Sequence, residues 1–127
     1  MAVIESTRAE KSWKGFYDFA VDGGATSTIT LRSNDGPIPN GAVVTGGFLN
    51  VLTSCLSGTG TMALQVESAA DTLAATAQAG LTAGVKSVIE ASTGATAVKT
   101  TAARSPALVI ATAPFTAGKF EFVLFYT

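Results

Sequence analysis

Apolar and polar residues alternate with a period of two along most of the chain. In Thr26–Arg32, threonines alternate with Ile29 and Leu31, which is typical of a strand with one buried face. Similar runs recur roughly every ten residues with Gly, Pro, Asn or Asp between them, as in all-β sandwiches and barrels. The sequence therefore predicts an all-β fold, a single antiparallel β-sandwich with almost no helix.

The same alternation places further strands along the chain. They are predicted at Ala42–Thr53, Met62–Val66, Val85–Ala91, Ala97–Thr101, Ala107–Thr112 and Lys119–Tyr126. Within the first of these, Gly46-Gly47 is interpreted as a bulge or bend inside one strand and not as its end. The alanine-rich segment Ser68–Gly80 is compatible with a helical turn or with a strand and loop.

The last predicted strand has two unequal faces. One face carries Phe120, Phe122, Leu124 and Tyr126, and the other begins with Glu121 and turns apolar at Val123 and Phe125. Exposed Val123 and Phe125 side chains would be unusual in a lone sandwich. They are therefore candidate interface residues, covered by a neighbouring subunit or by a folded-back N-terminal segment. Coverage by loops of the same chain is the alternative.

The N-terminus differs from the rest of the sequence. Residues 1–14 carry five charges and no strong apolar periodicity, which indicates an extended N-terminal arm before a sandwich domain of residues 15–127. A dense aromatic cluster follows at the junction. Its members, Trp13, Phe16, Tyr17 and Phe19, are further interface candidates, predicted to anchor the chain on its neighbours.

Between the first two predicted strands lies the segment DGPIPNG, residues 35–41. Pro37 and Pro39 restrict the backbone, and Asp-Gly and Asn-Gly supply turn residues at each end. We interpret it as a stiff corner without a phosphate-binding role. Ile38 is held between the prolines, either tucked over one end of the sandwich, which we favour, or presented to a neighbouring subunit as an interface residue.

The amino-acid composition excludes some classes of binding partner. Of 127 residues, 47% are apolar and only 13% charged, with a net charge of −1. No basic field for nucleic acid is present, and no apolar run is long enough to span a bilayer. The charges near the start do not suit a signal peptide, so we expect synthesis in a cytoplasm. Cys55 is the only cysteine and is expected to be a small buried side chain.

Catalysis is not expected. The chain has no histidine, which removes histidine-dependent nucleophilic sites and the commonest metal ligand. No cofactor, metal site or catalytic residue is predicted. Two alternatives stay open: a hydrolase using Asp18 with Glu121, and a carbohydrate-binding module that stacks sugars on exposed aromatics such as Trp13.

Three stretches carry a resemblance to a known group: DGPIPNGAVVTGGFLNVLTS (35–54), TMALQVESAADTLAATA (61–77) and KSVIEASTGATAVKTTAARSPALVIATAPFTAGKFEFVLFY (86–126). They resemble small virion structural proteins of tailed bacteriophages, over residues 20–127. The resemblance implies a jelly-roll-like β-sandwich that acts as a capsid decoration, or cement, protein. It carries no catalytic motif.

The expected function is therefore non-enzymatic. The resemblance implies a homo-oligomer, with a trimer favoured, that binds the major capsid protein at the capsid surface and stabilises the shell by contact. A tail or head-fibre component is the alternative from the same class.

Overall fold

The computed structural model describes residues 11–88 and 98–127. Its elements in chain order are β1 (Lys11–Asp18), α1 (Phe19–Asp22), β2 (Ser27–Thr30), β3 (Arg32–Ser33), β4 (Val43–Leu56), β5 (Thr61–Gln65), β6 (Leu73–Ala77), β7 (Gly84–Val88), β8 (Val98–Lys99), β9 (Ala107–Ala111) and β10 (Ala117–Tyr126). A 3-10 turn at Gln78–Gly80 follows β6. The predicted all-β class is confirmed.

These strands form two antiparallel sheets. The larger sheet has the order β3-β1-β10-β4-β7, with β8 also paired to β4, and the smaller sheet has the order β2-β9-β5-β6. The inward side chains of both sheets form one apolar core. In β10 the buried hydrophobic residues are Phe120, Phe122 and Leu124, and Tyr126 packs partly against the core, which is the face that alternation predicted. The two-sheet sandwich is confirmed.

One predicted strand is divided between the sheets. Thr26–Arg32 forms β2 in the smaller sheet and β3 in the larger one, separated at Leu31. The Leu31 amide donates to the Pro106 carbonyl, and its side chain is buried. The alternation of exposed Thr28 and Thr30 with inward residues holds, but the chain changes sheets within the run.

The N-terminal boundary also differs from its predicted position. Lys11–Lys14, assigned above to the arm, are the first half of β1, and all eight residues of this strand pair with β10. Trp13, Gly15 and Tyr17 point inward as buried residues. Inward residues at every second position explain why this segment joins the sheet. The rest of the predicted arm, residues 1–10, lies outside the described residues.

The structure also shows the outcome of four local predictions, on two glycines in β4, the alanine-rich segment, the cysteine and the strand from Val85. β4 continues through Gly46-Gly47, with a register irregularity beside them, so the glycines do not end the strand. Ser68–Gly80 contains the strand β6 and the 3-10 turn, so this segment holds both a strand and one short helical turn. Cys55 is buried, as expected. The end of the predicted Val85–Ala91 strand lies outside the described residues.

The corner at residues 35–41 closes one end of the sandwich. Ile38 is fully buried and exchanges backbone hydrogen bonds with Arg104, at 2.7 and 2.8 Å. Gly36 and Gly41 both have φ above +70°, a region that glycine occupies at little steric cost. The favoured position of Ile38, over one end of the sandwich, is confirmed.

Candidate docking interface

The outer face of the larger sheet carries apolar side chains interspersed with polar and charged ones. The register places Lys14, Val123, Phe48 and Ser87 in one row across β1, β10, β4 and β7. The neighbouring row holds Phe16, Glu121, Asn50 and Val85. Since residues of one row point to the same side of a sheet, aromatic and aliphatic groups from four strands share this face. We call it the large-sheet face.

Aromatic packing orders the centre of the large-sheet face. The rings of Phe48 and Phe125 pack with centroids 6.2 Å apart. The Lys14 ammonium lies 5.5 Å from the centroid of the Phe16 ring and 3.5 Å from the Glu121 carboxylate. These contacts give the side chains defined neighbours while leaving them partly or largely exposed. The aromatic rings of the face are therefore accessible to a partner.

At the end of β1, the large-sheet face deepens into a groove of about 360 Å³. Its apolar walls are Phe16, Val21 and Leu52. Val21 is 66% exposed and Leu52 is 49% exposed. Arg32 and Lys119 supply positive charge at its rim. A groove with exposed aliphatic walls and a charged rim is suited to a protein segment.

The helix α1 shapes one wall of the groove. Asp18 caps it by accepting the Ala20 amide at 3.0 Å. Asp22 accepts three side-chain hydrogen bonds from Arg32, at 3.0, 3.1 and 3.4 Å, and one from the Asp18 amide. Burial raises the pKa of Asp22, but the Arg32 and Asp18 hydrogen bonds outweigh it, so that the pKa is lowered overall. The carboxylate therefore stays ionised and holds Val21 at the groove.

The structure corrects three of the predicted interface residues. Trp13, Tyr17 and Ile38 are at most 2% exposed and belong to the core. The Trp13 indole donates to the Gly36 carbonyl at 2.7 Å, and the Tyr17 hydroxyl donates to the Gly23 carbonyl at 2.6 Å. Burial, followed by the nearby Cys55, raises the pKa of Tyr17 to about 12. Side chains enclosed in this way are not available to a partner.

Four other candidates keep partial exposure. Phe16, Val123 and Phe125 lie on the large-sheet face, while Phe19 packs partly against the core. The structure thus brings three of the predicted residues together on one surface. Phe19 stands apart from them at α1.

Sequence reasoning missed several residues of this surface: Val21, Phe48, Leu52, Val85 and Lys119. Phe48 and Val85 are outward positions of predicted strands, but their common face depends on β4 pairing with both β10 and β7. Leu52 sits at a register shift between β4 and β10, which strict alternation does not indicate. Long-range pairing therefore decides the composition of this face.

The two open chemical alternatives meet unfavourable geometry. Trp13 is buried, so it offers no ring face to a sugar. Asp18 and Glu121 do line the same groove, but Asp18 caps α1 and Glu121 pairs with Lys14. Both carboxylates are thus held in structural contacts.

Other reactive groups are also enclosed or dispersed. Burial raises the pKa of the Cys55 thiol to about 11, which keeps it protonated and unreactive at neutral pH. Among residues 11–88 and 98–127, no group of three His, Cys, Asp or Glu is placed to hold a metal ion. In the same part of the chain, no helix is long and apolar enough to cross a membrane.

Comparison with known proteins supports the fold. No protein-family model matches the chain, and no curated protein is significantly similar to it. Three solved structures are similar. A chain in the capsid of Ralstonia phage GP4 is 19% identical, with a TM-score of 0.66 over 100% of this chain and 90% of that one.

The other two structures also come from phage capsids. A chain of the cyanophage Pam1 capsid asymmetric unit is 23% identical, with a TM-score of 0.63 over 94% of this chain and 84% of that one. A chain of the acidic stable capsid of Helicobacter pylori bacteriophage KHP30 is 13% identical, with a TM-score of 0.64 over 94% of this chain and 88% of that one. The chain therefore shares its fold with chains found in three phage capsids.

Proposed function

We propose that this chain is a non-enzymatic structural protein of a bacteriophage virion. It decorates the capsid surface and stabilises the shell through contacts with the major capsid protein. The observation that carries the proposal is the fold shared, over almost the whole chain, with chains from three phage capsid structures. The resemblance of residues 20–127 to small phage virion proteins supports it, and it also implies the jelly-roll path.

The surface of the sandwich suits this role. The large-sheet face combines Phe16, Phe48, Val123 and Phe125 with few charges, and aromatic groups are enriched where proteins bind each other. Each copy needs only a modest interface, because many copies on one shell multiply its effect. A homotrimer fits the same argument, because a closed oligomer presents several equivalent contacts to the shell at once.

The experiment that tests the proposal is reconstitution on capsids that lack the protein. Purified chain is added to expanded shells of the phage that encodes it, and the particles are imaged by cryo-electron microscopy. We expect density for the sandwich on the outer surface of the shell, and shells that resist heating better than undecorated ones. Density at the tail or on a head fibre, or no binding, would contradict the proposal.

A matched truncation tests the N-terminal segment in the same assay. Residues 2–10 are the ones to delete, because Lys11–Lys14 belong to β1 and their loss would unfold the sheet. If residues 2–10 contribute to anchoring, the truncated chain keeps its circular dichroism spectrum but leaves fewer copies on the shell. Unchanged occupancy would exclude residues 2–10 from anchoring and would leave the decoration role intact.

A further inference from the structure

The charged side chains around the groove beside Val21 and Leu52 indicate which kind of polypeptide segment it can bind. Arg32 at its rim is paired with Asp22, and Glu121 is paired with Lys14. The Asp18 carboxylate accepts the Ala20 amide. For Lys119, no carboxylate in the described parts of the chain lies within salt-bridge distance. Asp18 lies opposite Lys119 in the register but makes no salt bridge with it. The groove therefore presents aliphatic walls and one cation, Lys119, that forms no salt bridge with the described residues.

Such a site fits an extended segment in which aliphatic side chains are followed by a carboxylate. Residues 1–10, MAVIESTRAE, contain this combination once, as Val3-Ile4-Glu5. The same three residues recur at Val88-Ile89-Glu90. There, however, Val88 is buried at the end of β7, so the whole triplet is not free to enter a groove.

The position of β1 indicates whether residues 1–10 reach the groove of their own chain or the groove of another copy. The chain enters β1 at Lys11, opposite Tyr126, whereas the groove lies near Asp18 and Lys119, about 23 Å further along the strand. Reaching its own groove requires a sharp reversal immediately before Lys11. Residues 7–10, TRAE, which directly precede Lys11, contain none of the residues that most favour tight turns, Gly, Pro, Asn, Asp and Ser. An extended stretch of ten residues spans up to about 33 Å, which is long enough to reach a neighbouring copy.

We propose that Val3-Ile4-Glu5 of one copy occupies the groove of the next copy, with Glu5 paired to Lys119. The aliphatic side chains then cover Val21 and Leu52, and the Glu5 carboxylate forms a salt bridge with the Lys119 ammonium. Because donor segment and acceptor groove are different surfaces, the contact is head-to-tail, and three such contacts close a ring. The proposal rests on the homo-oligomer of the proposed function, but it is tested in solution without capsids.

Cross-linking between two chains tests the contact directly. In a Cys55→Ala background, Ile4→Cys is placed on one chain and Leu52→Cys on a second chain that carries a size tag. We expect mild oxidation of the mixture to give a covalent heterodimer as the main product. A heterodimer no more abundant than the two homodimers would overturn the proposal. With both cysteines on one chain, a product that runs as a monomer would show the segment in its own groove and would also overturn it.

Charge exchange gives an independent readout. Glu5→Lys and Lys119→Glu should each raise the concentration at which the oligomer dissociates by about fivefold, the upper range for an exposed ion pair. The double variant should restore the original value, whereas additive weakening would overturn the pairing. Glu90→Lys is the matched control, because it changes the same charge in the same local sequence, and it should have no effect.

These results separate the two proposals. Chains that bind capsids but give neither cross-link nor charge rescue retain the decoration role and lose the groove contact. Chains that cross-link as expected but do not bind capsids lose the decoration role and retain the groove contact.

Discussion

Glu67 joins distant segments at one end of the sandwich. Its carboxylate accepts the Thr101 amide at 3.0 Å and hydroxyl at 2.7 Å, and two hydrogen bonds from the Arg104 guanidinium, at 2.8 and 3.1 Å. Arg104 in turn pairs through its backbone with Ile38. A single carboxylate thus connects the end of β5 to the stiff corner of residues 35–41. The sequence gives no sign of this contact, because its partners lie 34 and 37 residues away.

The same carboxylate makes stability depend on pH. The Arg104 hydrogen bonds, followed by those of Thr101, lower the pKa of Glu67 from 4.5 to about 2. A lowered pKa stabilises the fold fully above pH 4.5, and this contribution is lost as the pH falls towards 2. We expect Glu67→Gln to melt below the wild type at pH 7, with the difference shrinking towards pH 2, as measured by circular dichroism.

Glu121→Gln is the matched control for Glu67. The Glu121 carboxylate makes an exposed ion pair with Lys14 at 3.5 Å, and such pairs contribute little. Its melting temperature should therefore stay close to that of the wild type across the same pH range. An equal difference for Glu67→Gln at pH 7 and pH 2 would show that the lost contact is not electrostatic.

At the scale of elements, two adjacent glycines in β4 have different environments. A Cβ added at Gly47 would lie 2.3 Å from the Val123 carbonyl oxygen, whereas a Cβ at Gly46 would meet nothing within 4 Å. We expect Gly47→Ala to destabilise the fold by about 1–3 kcal/mol, because β4 and β10 must separate. Gly46→Ala should be neutral or stabilise slightly. Urea denaturation of the two variants measures the difference, and equal midpoints would contradict it.

The elements themselves were largely predictable. The alternation of apolar and polar residues in Lys119–Tyr126 and Ala107–Thr112 predicted the positions of β10 and β9 closely, because this two-residue period determines which side chains face the core. The division of Thr26–Arg32 at Leu31 was not predictable, since it depends on the partner strand on each side. The burial of Trp13 was not predictable either. Its burial depends on pairing with β10 and on the corner at residues 35–41, both distant in sequence.

At the scale of the whole molecule, the sandwich has two dissimilar outer faces. The outward rows of the smaller sheet join Thr28, Val109 and Ala63, and next to them Thr30, Ala107 and Gln65. Neither row contains a charge or an aromatic ring, in contrast to the large-sheet face. Aromatic residues, Phe included, are enriched in protein interfaces. We therefore expect the large-sheet face to make the principal contact with the shell.

Two edge strands offer matched substitutions that distinguish these faces. Val85 in β7 is 69% exposed on the large-sheet face, and Thr28 in β2 is exposed on the other. Val85→Asp should weaken shell binding by about tenfold or more, because it buries a charge against apolar groups, whereas Thr28→Asp should bind as the wild type does. Sedimentation with capsids measures both, and circular dichroism verifies folding. Loss of binding with Thr28→Asp alone would place the contact on the smaller sheet, where small neutral side chains would have to provide it by close fit.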